Sequence, residues 1–413
     1  MGDLTLVQKE FLKILESFMH EKNYSFPEDF SYIKELYEMA AIHKMTAAVY
    51  EQIRLDPLTK RKEYAGIINA FKSHTIHEVI FQTQREDGFI RIYKRLCGEG
   101  LHPLVVKGCI CRNLYAKPDY RVSSDEDMFL REEEFETCDR ILLEEGFKRN
   151  ELDFGNLPQE IPYRHPQSGV YIELHFKLFA EESGAYGHLN QEFYTSFDTC
   201  ISEDIHGVCV WTLEPTLHMF YLICHSFKHF LHSGFGIRQV CDMVMMAEHY
   251  GEIIDWGYIK ERLKQYRMDG FWSALLEIGI KYLGFTPDNS VCLENMLLQS
   301  ISCRNLLLDL FESGVFGNST MERRHSSNIT LAAAQIGKKD MKAAFRASLF
   351  PDKCYMEKGY PWIEKYPALL PWAWILRIGR YLIEMRKNTD EPNVVEIGMD
   401  RVELLKEYRI IDS

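Results

Sequence analysis

The sequence lacks any regular cysteine pattern, although it contains 11 cysteines. No Cys-x-x-C pair occurs and the number of cysteines is odd, so we expect neither a disulfide framework nor a four-ligand zinc site. Scattered cysteines that stay reduced are typical of a reducing compartment. We therefore expect a cytoplasmic location.

A secretory signal and a long apolar run are also missing. The chain starts with Met-Gly-Asp-Leu-Thr-Leu, without a basic segment followed by an apolar one, so we expect no signal peptide. The most apolar stretch, residues 366–376, contains two prolines and is too short for a bilayer, which needs about 20 apolar residues. We expect no membrane partner and interpret this stretch as a buried or interface-packed helix.

The sequence has no excess of positive charge, since its formal net charge is −13. Non-specific nucleic-acid binding depends on many contacts from Lys and Arg to phosphates, so this balance disfavours a nucleic-acid partner but leaves room for a small basic groove. Internal repeats and low-complexity runs are absent too. What the chain does have is 413 residues, 46% of them hydrophobic, enough for two or three packed domains.

Hydrophobic periodicity divides the chain into three regions. Residues 1–94 predict a helical region that ends in a long helix, from about His74 to Leu96. Residues 95–212 predict two helices and several short strands, as in a small mixed sheet. The strands are expected at residues 103–107, 127–130, 147–152, 163–165, 170–176 and 208–213. Residues 213–413 are helical again, including a helix expected at residues 237–250, with the polar stretch 318–328 as a candidate mobile loop. The predicted fold class is α+β, with a small mixed-sheet core between N-terminal and C-terminal helical regions.

An Asp-x-Asp motif lies at the start of a predicted strand in the middle region. Asp125 and Asp127 are two residues apart, so both side chains would leave the same face of a strand. Two carboxylates aimed at one point repel each other unless a cation lies between them, and hard oxygen ligands favour Mg²⁺ or Mn²⁺. A solvated acidic turn is the alternative, and the neighbouring motifs decide between the two.

Two other predicted strands carry polar residues that could join this pair. Lys107 and Gly108 end the first strand, where the lysine offers a point charge for phosphate and the glycine allows a ligand to approach the backbone. Glu173 and His175 share one face of a later strand and need a partner if that face is buried. Without such convergence, Lys107 is simply a solvated cation.

The segment before the Asp-x-Asp motif offers further candidates for phosphate contact. These are Arg121 and the hydroxyls of Ser123 and Ser124. Each has an alternative, since Arg121 could pair with a nearby acid and the serines could start a turn.

A histidine cluster lies on the helix predicted from Glu214 to His232. His225 and His229 are four residues apart and could bind zinc, although a third ligand and the glutamate of a His-Glu-x-x-His motif are missing. We interpret the cluster as a polar seam that faces a cleft or the core, with a histidine-based metallohydrolase as the alternative. Arg238 and Asp242, four apart on the next helix, predict an ion pair.

Together these motifs resemble the uncharacterised nucleotidyltransferase family, which is similar in fold to the polymerase-beta-like nucleotidyltransferase superfamily. The resemblance is carried by residues 104–130 (LVVKGCICRNLYAKPDYRVSSDEDMFL), residues 170–175 (VYIELH), residues 39–43 (MAAIH) and the histidine-containing helix. It implies that residues 95–212 form the catalytic core. It also implies that Asp125, Asp127 and Glu173 are the catalytic metal ligands.

The resemblance implies an enzyme that moves a nucleoside monophosphate from an NTP, such as ATP, to a hydroxyl acceptor and releases pyrophosphate. Mg²⁺ or Mn²⁺ would be the cofactor, and net charge favours a small-molecule acceptor. Two features depart from the superfamily pattern: a Lys-Gly-Cys turn replaces Gly-Ser or Gly-Gly, and Glu173 replaces the commoner aspartate. The turn favours the alternative of a non-catalytic nucleotide-binding or protein-interaction module on the same fold.

Overall fold

A computed structural model describes most of the chain and confirms the α+β class. The predicted mobile loop at residues 318–328 lies outside the described residues. The described residues are 3–27, 30–54, 56–151, 158–287, 291–313, 330–331, 333–334, 350, 353–385 and 394–412.

The N-terminal region is helical, as predicted. Its first helix begins with a capping box in which the Thr5 hydroxyl accepts a hydrogen bond from the Gln8 amide. The second and third helices are separated at Lys44, whose φ of 54° ends the helical path. The long helix begins earlier than predicted and passes through the expected boundary at residues 94 and 95. The helices are α1 (Leu6–Met19), α2 (Ile33–Ile42), α3 (Thr46–Ile53) and α4 (Ala65–Gly98).

The middle region contains the predicted mixed sheet. Its elements are β1 (Leu104–Val105), α5 (Gly108–Asn113), β2 (Glu126–Phe129), α6 (Phe135–Glu144), β3 (Glu160–Arg164) and β4 (Tyr171–His175). The strand order is β1-β2-β4-β3, with β2 and β4 parallel and the other pairs antiparallel. The strand predicted at residues 147–152 is reduced, in its described part, to one bridge between Lys148 and Arg164.

A β-hairpin completes the middle region. It follows the short helix α7 (Ser196–Thr199) and consists of β5 (Ile201–Ile205) and β6 (Val208–Thr212). His206 and Gly207 form its turn, with φ values of 52° and 77°. Positive φ at both central residues is what the type I′ turn of a two-residue hairpin requires. Strand β6 was predicted, whereas β5 was not.

The C-terminal region is helical. Helix α8 is buried along most of its length and is capped by Glu214, whose carboxylate accepts from the amides of Thr216 and Leu217. The helices are α8 (Pro215–Leu231), α9 (Ile237–Tyr250), α10 (Trp256–Gln265), α11 (Asp269–Tyr282), α12 (Val291–Glu294), α13 (Arg304–Ser313), α14 (Lys353–Gly359), α15 (Trp362–Lys365), α16 (Leu370–Met385) and α17 (Val394–Glu407).

Strand β2 lies between two hydrophobic clusters. One cluster joins the three regions and contains Phe11 of α1, Phe129 of β2 and Phe230 of α8. The other contains Phe89 of α4 and Met128 of β2, packed between the sheet, α4 and α6. Because successive side chains of a strand point to opposite faces, Asp127 shares its face with Phe129, towards the helical regions.

The apolar stretch at residues 366–376 leads into α16. Trp372, Ile375 and Leu376 are 56%, 58% and 42% exposed, so the burial that their apolar character predicts is not observed. Packing at an interface stays a prediction. None of the helices that the structure describes is long and apolar enough to cross a membrane.

Candidate active site

Strand pairing brings three potential metal ligands together. In the parallel pair of β2 and β4, Asp127 lies opposite Glu173, and Phe129 lies opposite His175. Asp127, Glu173 and His175 each present one ligand atom, and these atoms all lie within 4.8 Å of one another. Asp127 is 2% exposed and His175 is 5% exposed, so the group is held on the buried face of the sheet.

Asp125 lies beside this group but does not belong to it. Strand β2 begins at Glu126, so Asp125 precedes the strand, and its carboxylate accepts a hydrogen bond from the Ser124 hydroxyl at 3.2 Å. The structure thus brings together two of the three predicted carboxylates and adds His175. The signal for His175 was its spacing of two from Glu173, which places both side chains on one strand face.

A lysine already contacts the buried aspartate. Lys107 Nζ lies 2.8 Å from Asp127 Oδ2 and 3.1 Å from His225 Nε2. Burial lowers the pKa of Lys107, but the negative charges of Asp127 and Asp125 outweigh burial and raise this pKa above its ordinary value. Lys107 is therefore an ammonium ion, and it donates a hydrogen bond to the neutral imidazole of His225.

The two carboxylates of the group have different protonation behaviour. Burial and the negative charge of Asp127 raise the pKa of Glu173 to about 8. Burial also acts to raise the pKa of Asp127, but Lys107 and His175 outweigh it and hold this pKa well below its ordinary value. His175 Nε2 is 3.1 Å from Asp127 Oδ1. One acid is thus ionised while the other exchanges a proton near neutral pH.

The carboxylate of Glu126 occupies the space beside the Gly108 backbone. Gly108 has a φ of 49°, and a Cβ at this position would lie 1.8 Å from Glu126 Oε2. The Glu126 carboxylate accepts from the Cys109 amide at 2.8 Å and pairs with Arg112 at 2.7 Å. Only glycine fits this arrangement. A contact between Gly108 and a ligand stays a prediction.

Arg121 pairs with an acid, which was the alternative to phosphate contact that we predicted for this residue. Its guanidinium forms two contacts with the Asp242 carboxylate, one of them 2.9 Å long, and the Tyr115 hydroxyl donates to the same carboxylate at 2.9 Å. The predicted pair between Arg238 and Asp242 is therefore not formed in the described structure. Arg238 instead donates to the Val122 carbonyl. Helical spacing shows that two residues share a face but does not reveal a competing partner from another element.

The two serines stabilise the segment before β2. The Ser123 amide donates to Gln82 Oε1 at 2.9 Å, and the Ser123 hydroxyl accepts from Arg112. The Ser124 hydroxyl donates to Asp125, as described above. Contact of Ser123 and Ser124 with phosphate stays a prediction.

The histidines of α8 form a polar seam. His225 and His229 lie with their Nε2 atoms 3.2 Å apart, and His218 contacts the Val106 carbonyl at 2.7 Å. Burial lowers the pKa of His229 to about 3 and that of His218 to about 4. Among the described residues, neither His225 nor His229 belongs to a group of three potential metal ligands. This arrangement favours the polar seam over a histidine-based metallohydrolase.

A small cavity adjoins the group of three ligands. It has a volume of about 40 Å³ and lies between the ends of β1 and β2 on one side and helices α8 and α9 on the other. Lys107 and Asp125 line the first side, whereas Ser226 and Arg238 line the second. The candidate site therefore lies where the sheet meets the C-terminal helices.

Comparison with known proteins identifies the family. The chain matches the uncharacterised nucleotidyltransferase family over residues 31–280, a range that contains all the site residues described above. Significant matches were found neither among curated proteins nor among solved structures. The family supports a transferase kind of enzyme and implies an NTP substrate. Because the matched range covers more than half of the 413 residues, the chain belongs to the uncharacterised nucleotidyltransferase family.

Proposed function

We propose that this protein is a metal-dependent nucleotidyltransferase that moves a nucleoside monophosphate from an NTP to a hydroxyl acceptor and releases pyrophosphate. The observation that carries the proposal is the buried group of Asp127, Glu173 and His175, whose ligand atoms lie within 4.8 Å of one another. Membership of the family supports the same chemistry. A small-molecule acceptor and a cytoplasmic location stay predictions.

The donor set of this group fits a divalent cation. Two carboxylates and one imidazole are acceptable ligands for Mn²⁺, and carboxylates together with phosphate oxygens suit Mg²⁺. Asp125, half-buried beside the group, would add a further carboxylate. A bound Mg²⁺ or Mn²⁺ would neutralise phosphate charge and lower the pKa of the acceptor hydroxyl.

Protein side chains would perform the remaining tasks. Glu173 has a pKa raised to about 8 by burial and by Asp127, so its carboxylate could accept the proton of the acceptor hydroxyl near neutral pH. The acceptor oxygen then bonds to the α-phosphorus as the bond to pyrophosphate breaks. Lys107, 2.8 Å from Asp127, lies close enough to neutralise charge on the phosphates. His175 orients the Asp127 carboxylate.

The experiment is NTP binding and transfer with and without divalent metal. The wild-type protein is incubated with each labelled NTP and Mg²⁺ or Mn²⁺, beside the variants Asp125→Ala and Asp127→Ala. Glu136→Ala is the matched control, because Glu136 is an exposed acid on α6 of the same region. We expect metal-dependent NTP binding in the wild type and the control, and its loss in Asp127→Ala. Absence of metal-dependent NTP binding in the wild type would contradict the proposal.

A second candidate function is a nucleotide-binding module without catalysis. Two observations favour it: Cys109 of the Lys-Gly-Cys turn is fully buried and supplies no hydroxyl, and Lys107 already contacts the central aspartate. Tight NTP binding without turnover, unchanged by Glu173→Gln, would support this candidate over the enzyme.

A further inference from the structure

Arg238, in the first turn of α9, forms no ion pair in the described part of the chain, although Asp242 and Asp125 lie near enough for their charges to act on it. Its Nη1 donates to the Val122 carbonyl, and its Nε is buried without a hydrogen-bond partner. The neighbouring arginines differ, because Arg121 pairs with Asp242 and Arg112 pairs with Glu86 and Glu126. A largely buried cation that forms no ion pair is costly to hold unless a ligand supplies further negative charge.

The surroundings of Arg238 are suited to an anion. Arg238 and Gln239 line the cavity of about 40 Å³ described above, at the beginning of a 14-residue helix. Two acids line it as well: Asp242, which pairs with Arg121, and Asp125. The N-terminus of a helix carries partial positive charge, and the cap residue Gly236 provides no side chain to satisfy its amides. The Ser226 hydroxyl donates to Gln239 Oε1 at 2.6 Å, which leaves the Gln239 amide nitrogen as a donor.

The electrostatic balance around Arg238 points the same way. Burial, and then the positive charge of Arg121, lower the pKa of Arg238 to about 10, because they outweigh the negative charges of Asp242 and Asp125, which act to raise it. Both effects disfavour the charged guanidinium in the ligand-free protein. An anion in the cavity would reverse them, because a nearby negative charge stabilises the guanidinium.

The cavity is connected to the candidate metal group by Lys107. This lysine lines the cavity and its Nζ is 2.8 Å from Asp127. A volume of about 40 Å³ suits a phosphate-sized group, whereas a complete drug-sized ligand needs on the order of 300 Å³ or more. The phosphate end of a nucleotide could enter here, with the nucleoside and the acceptor outside.

We propose that Arg238, together with Gln239 and Lys107, forms a polyphosphate subsite whose cavity holds the γ-phosphate of the NTP and one phosphate of the released pyrophosphate. The identity of the ligand rests on the proposed function. Arg121, Ser123 and Ser124 are already engaged by other protein groups. Arg238, which helical spacing assigned to an internal ion pair, instead donates to a backbone carbonyl.

The test is titration of inorganic pyrophosphate into the protein by calorimetry in the absence of divalent metal. We expect Arg238→Gln to weaken pyrophosphate binding by roughly tenfold or more, because it removes a charge-assisted contact. Arg238→Lys should weaken it less. Arg262→Gln on α10 is the matched control, since Arg262 pairs with Glu192 and does not line the cavity; its affinity should equal that of the wild type.

A second variant tests the subsite in case Arg238→Gln does not fold. Gln239→Glu keeps the contact of Arg238 with Val122 but adds a carboxylate to the cavity, so it should weaken pyrophosphate binding at least as strongly. Circular dichroism checks that each variant is folded. Absence of pyrophosphate binding in the wild type, or wild-type affinity in both folded variants, would overturn the subsite.

The same variants separate failure of the subsite from failure of the enzyme. If the wild type transfers NMP and Arg238→Gln retains both the wild-type KM for NTP and the wild-type pyrophosphate affinity, the subsite is wrong and the proposed function stands. If Arg238→Gln loses pyrophosphate affinity but the wild type never transfers NMP, the subsite stands and the proposed activity is wrong.

Discussion

The two faces of strand β2 carry buried acids with opposite surroundings. On one face, Glu126 and Glu86 enclose the fully buried Arg112, whose nitrogens lie 2.7 Å and 3.3 Å from their carboxylates. The Cys109 amide also donates to Glu126. The acids on this face are therefore satisfied by protein groups.

On the other face, one acid has no lysine or arginine in contact among the described residues. Asp127 and Glu173 lie within reach of each other, with Asp125 beside them, and Lys107 is the lysine in contact. The pKa of Glu173, raised to about 8 by burial and by Asp127, records this imbalance. The fold therefore holds an acid excess that a bound cation would relieve.

The difference shows that burial of an acid does not by itself mark a functional site. Glu126 and Asp127 are consecutive, are 6% and 2% exposed, and have the same chemistry. What separates their surroundings is that Arg112 contacts both acids on the first face, whereas Lys107 contacts Asp127 and leaves Glu173 without such a contact in the described structure. A matched buried network stabilises the fold, whereas an unmatched one is available to a ligand.

The largest effect should come from Asp127→Asn. Loss of this charge should reduce metal-dependent NMP transfer on the order of a thousandfold. The reason is that Asp127 would hold the metal ion whose positive charge stabilises the reacting phosphate. Single-turnover assays with labelled NTP measure the loss, and circular dichroism verifies the fold. Transfer within a few-fold of the wild type would show that the face carrying Asp127 is not the active one.

Glu126→Gln should act on stability instead. It leaves Arg112 with one carboxylate instead of two, and weakening a buried ion pair costs about 3 kcal/mol of unfolding free energy. Urea denaturation measures the change, while Mn²⁺ affinity below the unfolding transition should stay near the wild-type value. Loss of Mn²⁺ affinity without loss of stability would reverse the roles assigned to the two faces.

Lys107→Met should increase metal affinity while it weakens polyphosphate binding. The lysine ammonium competes with a metal for Asp127, and an adjacent opposite charge typically alters proton affinity by about tenfold or more. We expect a gain of at least about tenfold in Mn²⁺ affinity without nucleotide, measured by calorimetry. Lys228→Met, which changes a partly exposed lysine on α8, is the control. An unchanged Mn²⁺ affinity in Lys107→Met would show that the contact with Asp127 is of no consequence for the metal.

The smallest effect concerns pH. Because the pKa of Glu173 is raised to about 8, a metal must displace a proton below this value and meets an ionised carboxylate above it. Metal affinity should therefore rise several-fold between about pH 7 and about pH 9 and then level off. Glu173→Gln should bind metal more weakly and lose this dependence. A pH profile that Glu173→Gln retains would assign the proton to another group.

Much of the fold could be predicted from local patterns. Helix α9 extends from Ile237 to Tyr250, as the hydrophobic spacing predicted, because each turn of a helix repeats the pattern over a few residues. Strand β5 escaped prediction, because Ile-Ser-Glu-Asp-Ile is polar in its centre and gains its pairing from β6. In a short strand, the alternation of apolar and polar residues is too weak a signal to predict a strand from a sequence with a polar centre.

The sequence predicted which residue types form the candidate site better than it predicted which of them contact each other. The sequence placed Asp127 on one predicted strand, and Glu173 and His175 on one face of another. The parallel pairing of β2 with β4 then makes Asp127 a neighbour of Glu173 and His175. The pair of Arg121 with Asp242 joins residues 121 positions apart, and no local pattern reports it.

The sequence by itself determined the α+β class, the helical flanks and the acids and bases available for chemistry, because these depend on composition and short-range periodicity. The tertiary structure decided which charge meets which partner. Arg112 pairs with Glu126, Lys107 pairs with Asp127 but not with Glu173, and Arg238 forms no ion pair among the described residues. Charge pairing depends on distance and burial, and both are set by packing between elements that are far apart in the chain.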